Sequence, residues 1–297
     1  MNASVHLLRK TVAATVHLQA DIPEDHPSAA ILGAERMGTG VFLGTPPAIV
    51  TAHYVLIGSR GVQVTTIDGT TASGTIAAID YASGLGVVTL DDPPDRSLEV
   101  RPIEEVTPGQ ECFVVASVGD GRQVRTGTVA SIAPFDAFWE YMLDRAILAS
   151  PENPGLGGGP IADASGRVIG IAALSLTEVG KFTFGVPASL ALPLLEALRV
   201  QGRHAPARRA WLGITCYSLK NHVVVAGVIP DSPAAKAGLR SGDLIVAIDG
   251  EEVSERRDLF DRLWRRASGD PARLRVFRNN ETFEVEVATG TIEDFFA

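Results

Sequence analysis

Between Gly38 and Pro187 the sequence breaks into short apolar runs rich in Val, Ile and Ala, each closed by Gly, Pro or Asp. "GVFLG", "AIVTAHYVL", "VQVTTIDG", "LGVVTL", "CFVVASVGDG", "TGTVASIA" and "GRVIGIAAL" follow one another in this way. Runs this short, rich in β-branched residues and bounded by turn formers, suit strands better than helices. Many of them in series predict an all-β barrel or sandwich. The stretch "DASGR", Asp163 to Arg167, predicts a hairpin turn with Gly166 at positive φ.

A helical segment, "PASLALPLLEALR", follows, and then the Gly-, Pro- and Arg-containing stretch "VQGRHAPARRA", which reads as a linker. A second domain begins near Trp211. Within it Ser232 and Pro233 supply an N-cap and a first helical residue, and Gly238 a stop. "DLIVAIDG" reads as a strand running into an Asp-Gly turn, and Asn279-Asn280 as the turn of a hairpin. "ERRDLFDRLWRRA" is amphipathic, with Leu259, Phe260, Leu263 and Trp264 on one face. The expected boundaries are an N-terminal segment 1–36, a first domain 37–200, a linker 201–209, a second domain 210–290 and a tail 291–297.

Composition narrows the partners. A 297-residue chain with 45% hydrophobic and 21% charged residues can bury two cores. A net charge of −9 gives nucleic acid no electrostatic footprint. No run approaches the roughly 18 apolar residues of a membrane span, and the N-terminal stretch lacks an unbroken apolar core. Cys112 and Cys216 lie far apart and read as buried thiols rather than a disulfide. These features predict a cytoplasmic protein with no metal site and no cofactor.

The order "GTGVFLG", "VTAHYV", "DYASGLGVV", "TGTVAS", "NPGLGGGPIADASGRVIGI" and "FTFGVP" resembles the chymotrypsin-like domain of HtrA (Deg) serine proteases. The second domain resembles the PDZ module of the same family. The resemblance implies a mostly β fold, a double β-barrel followed by a small α+β domain. It also implies a Ser-His-Asp triad, in which serine attacks, histidine takes its proton and aspartate orients the histidine. His53 matches the histidine. Gly84, in "GLGV", stands at the aspartate position and Gly157, in "GLGGGP", at the serine position.

Glycine cannot form an acyl-enzyme, and losing the serine of such a triad costs on the order of 10⁶ in turnover. The amides of Gly155 and Gly157 are the expected remnant of an oxyanion hole. Asp80, Ser83, Ser150 and Ser165 are expected in turns and strand ends, not as replacements. The double loss predicts that the chain is not an enzyme. The alternative is an active endopeptidase with a rearranged site.

The resemblance implies that "WLGI", Trp211, Leu212, Gly213 and Ile214, is a carboxylate-binding loop for the C-terminal or extended peptides of partner proteins. Leu259 and Leu263 are expected either to line the pocket for the ligand's last side chain or to close the core, with Phe260 and Trp264 in the core. The family trimerises through aromatic residues near the N-terminus, and none precedes Phe42 here. Self-association or pairing with an active paralogue are the expected assemblies. The cluster "PFDAFWEYM", Pro134 to Met142, reads as local core, with an interaction patch as the alternative. The tail "EDFFA" reads as a disordered end, with docking into a neighbouring copy as the alternative.

Overall fold

The computed structural model describes residues 3–176, 181–205 and 207–297. The chain divides into two compact units, Met1–Pro134 with Leu143–Pro206, and Phe135–Met142 with Ala207–Ala297.

The first unit holds two closed six-stranded barrels. The first barrel comprises β1 (Thr15–Asp21), β2 (Glu35–Leu43), β3 (Ala48–Ala52), β4 (Gly61–Thr65), β5 (Thr71–Asp80) and β6 (Leu85–Thr89), closed in the order β1-β2-β3-β6-β5-β4. Val16, Leu18, Phe42, Ile49, Val64 and Val88 fill it. β3 is buried along its whole length, which is why "AIVTA" carries no alternation of polar residues. β1 pairs with both β2 and β4, so residues 15–21 are part of the barrel. The expected separate segment 1–36 is corrected accordingly. A helix, Ala3–Ala13, precedes β1.

The second barrel comprises β7 (Glu111–Val118), β8 (Gly121–Asp136), β9 (Met142–Ala149), β10 (Pro160–Asp163), β11 (Val168–Leu176) and β12 (Phe182–Pro187). Val114, Ile147, Ile161 and Ile169 lie in its core. The "DASGR" turn joins β10 to β11 as its residues dictate. Asp163 Oδ1 accepts the amides of Ser165 at 2.9 Å and Arg167 at 3.1 Å, and Gly166 has φ +79°.

The second unit carries a sheet of β13 (Ile214–Leu219), β14 (His222–Val228), β15 (Leu244–Ile248), β16 (Glu251–Glu252), β17 (Pro271–Arg278) and β18 (Glu281–Ala288). The order is β13-β14-β15-β17-β18, with β16 on β15, so β13 is an edge strand. Ser232 Oγ accepts the Ala235 amide at 3.2 Å, capping the helix that begins at Pro233. Asn279 and Asn280 have φ +52° and +63°, the paired left-handed residues that a tight β17–β18 hairpin needs. The helix Arg256–Leu263 buries Leu259, Phe260 and Leu263 against Leu212, Val225, Ile245 and Leu274.

Candidate functional site

β3 carries the chain from the barrel core to His53, which opens a single 3₁₀ turn, His53–Val55. The His53 amide donates to the Gly84 carbonyl at 2.9 Å. Gly84 closes the β5–β6 turn at φ +78°, where a side chain is strained. The two positions that the family resemblance singles out therefore do meet in space.

His53 is half-buried with its Nδ1 enclosed, and desolvation pulls its pKa down to about 4, against the opposing pull of the Gly84 carbonyl and the Asp80 charge. Tyr81 meets it edge-on at 5.6 Å and Tyr54 at 6.4 Å between ring centroids. Asp80 is buried, accepts the Ser83 amide at 2.8 Å and lies 3.4 Å from His204 Nε2. Its carboxylate organises the turn, as expected, and adds a contact to His204 that the sequence did not signal.

The glycine loop is tied to both barrels. The Leu156 amide donates to the Ser117 carbonyl at 3.1 Å and the Gly158 amide to the Ala172 carbonyl at 2.6 Å. The Thr39 amide donates to the Gly157 carbonyl at 2.7 Å, and Thr39 Oγ1 to the Leu156 carbonyl at 2.7 Å. A Cβ on Gly155, Gly158 or Gly159 would press into the backbone of Ser117, Thr39 or Val115 respectively. These glycines serve close packing of loop on strand.

At Gly157 the obstacle is different. The Tyr54 hydroxyl occupies the space a Cβ would take, and donates to the Ala173 carbonyl at 3.0 Å. Burial pushes the Tyr54 phenol up to about 12, so it stays a donor at ordinary pH. Tyr54 was not singled out by sequence, although its place directly after His53 was the available signal.

The serines near these elements have other duties. Ser150 Oγ accepts the Thr128 amide at 2.9 Å, Ser83 Oγ the Leu85 amide at 3.3 Å, and Ser165 Oγ donates to Asp163 at 2.5 Å. Among the described residues no group of three or more His, Cys, Asp or Glu is placed to hold a metal.

In the second unit three consecutive amides converge on one carboxyl group. Leu212 N lies 3.0 Å from Glu140 Oε2, and Gly213 N and Ile214 N lie 2.7 and 3.1 Å from Oε1. Gly213 makes this possible. It sits at φ +84°, and a Cβ there would strike Ser232. Trp211 departs from its expected role as a donor, because its amide and carbonyl are both bonded to Gly290. Its indole packs on Phe295 at 4.8 Å and Phe296 at 6.5 Å.

The tail is thus ordered on its own domain. Its short helix, Ile292–Phe295, is capped by Thr291, whose hydroxyl accepts the Asp294 amide at 3.0 Å. Leu259 and Leu263 are fully buried with Phe260, so of the two roles expected for them the core role is the one seen. In the cluster "PFDAFWEYM" Met142 joins the second unit's core, while Phe138 is 57% exposed. Local core is therefore only part of its role.

A trypsin-like peptidase domain model matches residues 38–171, and a PDZ domain model matches residues 210–289. A probable periplasmic serine endoprotease DegP-like of Halomonas elongata is 27% identical over 278 residues, 87% of this chain and 57% of the relative. Its counterpart in Brucella suis biovar 1 is 28% identical over 282 residues, 86% of this chain and 53% of the relative. The chain therefore spans little more than half the length of these relatives. Among solved structures, the HtrA-type protease AlgW with decapeptide matches with a TM-score of 0.61 and 22% identity, over 97% of this chain and 98% of that one. The serine endoprotease from Yersinia pestis matches with 0.61 and 20%, over 98% and 99%. These structural matches support the mostly β fold with its two kinds of domain.

Two expectations are corrected by these relatives. The reading of the chain as not an enzyme conflicts with relatives named serine endoproteases and with solved neighbours named as proteases. The reading of a cytoplasmic protein conflicts with relatives named periplasmic. The physical reason for the second error is that composition carries no address. No described helix is long and apolar enough to cross a membrane, and that property does not distinguish compartments.

Proposed function

We propose that this chain, whose residues match a trypsin-like peptidase domain followed by a PDZ domain, captures polypeptides by their terminal carboxylate at Leu212, Gly213 and Ile214. The observation that carries this reading is the convergence of those three amides on a single carboxyl group. Amides in a row form a nest that suits an anion, and the adjacent edge strand β13 suits an added peptide strand. A periplasmic setting for this activity is supported by relatives that are named periplasmic.

The peptidase domain offers a second peptide-facing surface. The amides of Gly155 and Gly157 are the candidate donors there, since such donors polarise a peptide carbonyl, and His53 is neutral above about pH 4. Any hydrolysis by this chain runs without a hydroxyl at residue 157. Cleavage of an unfolded protein, compared between wild type and His53→Ala, assigns that hydrolysis to the His53 site if it is lost and elsewhere if it is kept.

The test of capture is fluorescence anisotropy of the full chain with decapeptides that differ only in a free or amidated C-terminus. Preference for the free carboxylate supports the reading, and equal binding of both sinks it.

A further inference from the structure

The segment Phe135–Met142 runs from the end of β8 to the first residue of β9 but belongs to the second unit. Its backbone is laid on the edge of β13. The Cys216 amide donates to the Phe138 carbonyl at 2.6 Å, and Trp139 pairs antiparallel with Thr215. One residue later Glu140 turns its side chain into the loop and accepts the amides of Leu212, Gly213 and Ile214. Met142 enters the core, and Asp136 pairs with Arg257 on the helix Arg256–Leu263. Strand addition to an edge, ending at a carboxyl group held by a row of amides, is how a peptide terminus is recognised. Here the chain does both to itself.

We propose that residues 138–140 are a built-in occupant of the carboxylate loop, with the Glu140 side chain standing in for a ligand's terminal carboxylate, and that an incoming peptide must expel them. This rests on the capture reading above. The direction of the segment fits: it runs antiparallel to β13 and arrives at the loop carboxyl-first. Its continuation does not fit a permanent structural strand. The Tyr141 amide donates to the Trp139 carbonyl at 2.7 Å and the Ala137 amide to the Tyr141 carbonyl at 2.9 Å, a tight turn that presents Glu140 at its tip. Phe138 beside it stays exposed. A tethered occupant competes at an effective concentration on the order of millimolar. Only a peptide that gains more than this single short strand displaces it.

A purely structural role for Glu140 predicts something else: removing it would loosen the domain without opening a binding site. The experiment uses the full chain as wild type, Glu140→Ala and Glu140→Gln. One readout is hydrogen exchange at the amides of Leu212, Gly213, Ile214 and Cys216, with the β17–β18 amides reporting that the domain stays folded. The other is capture from a pool of random decapeptides with free C-termini, with the same pool amidated as control. The expected result is faster exchange at those four amides in Glu140→Ala, and at least roughly tenfold more capture of free-carboxylate peptides than wild type. Glu140→Gln, which keeps the volume of the side chain, falls between them. Unchanged exchange in both variants overturns the proposal, as does equal capture by wild type and variants, which leaves peptide capture itself standing. Faster exchange with no capture by any form overturns the capture reading on which the proposal rests, and leaves the occupant in place.

Discussion

The hydroxyl of Tyr54 stands where a side chain on Gly157 would have to begin, and it is held there by a 3.0 Å hydrogen bond to the Ala173 carbonyl. Position 157 is therefore a filled site, with a phenol in the place of a residue's own side chain. Gly157→Ser must displace a rigid, bonded ring, so it should destabilise the first unit by about 1–3 kcal/mol. Tyr54→Phe removes the obstructing oxygen and by itself should cost about 1 kcal/mol for the unsatisfied Ala173 carbonyl. In urea unfolding the double variant should lose less than the sum of the two. Strict additivity would show that the phenol does not control this position.

His53 makes the first unit sensitive to acid. The sign follows from the direction of its shift. The folded pKa of about 4 lies below the usual 6.5, because burial disfavours the imidazolium. The unfolded chain thus binds a proton first as pH falls, so stability is complete above about 6.5 and declines towards 4. The decline is on the order of 3 kcal/mol. Thermal melts from pH 7.5 to 4.5 should show a steeper loss for wild type than for His53→Gln; parallel curves would contradict the desolvated neutral imidazole.

The opposite sign applies to Glu140. Burial of its carboxyl group, only partly offset by the three amides, pushes it up to about 7 from the usual 4.5. The elements packed there also carry Asp136, Tyr141, Cys216, Tyr217, Arg256, Arg257, Asp258, Asp261 and Arg262, none of which is among the causes of this shift. The docked state prefers the protonated acid, so docking is fully favoured below about 4.5 and weakens as pH rises towards 7. A captured peptide, whose terminal carboxylate is ionised throughout this range, should bind roughly tenfold more tightly at pH 7.5 than at 5.5. Anisotropy titrations check this, and the pH effect should vanish in Glu140→Ala.

Gly213 sets the geometry of the carboxylate loop. Gly213→Ala forces a Cβ onto Ser232 and an unfavourable φ of +84°. The expected cost is at least about 1–3 kcal/mol in stability, together with loss of free-carboxylate peptide binding. Gly238, at φ +80° with nothing within 4 Å of its would-be Cβ, is the comparison position. Gly238→Ala should share the backbone strain and spare the binding, and binding lost equally in both would remove the special role of Gly213.

The sequence by itself determined the β architecture and the joints of the chain. Strand length, turn residues and capping are local properties, and "DASGR", Ser232-Pro233 and Asn279-Asn280 each form the turn or cap that their chemistry demands. It also brought out His53, Gly84 and the 212–214 loop, because motif order preserves those positions along the chain. It could not place Tyr54 against Gly157, since that contact joins two barrels across about a hundred residues of sequence, and nothing local in either stretch encodes it. Nor could it assign 135–142 to the second unit. A run of aromatics looks the same whether it closes its own core or lies on the edge of another sheet, and only the tertiary structure, by bringing Glu140 to three waiting amides, decided between them.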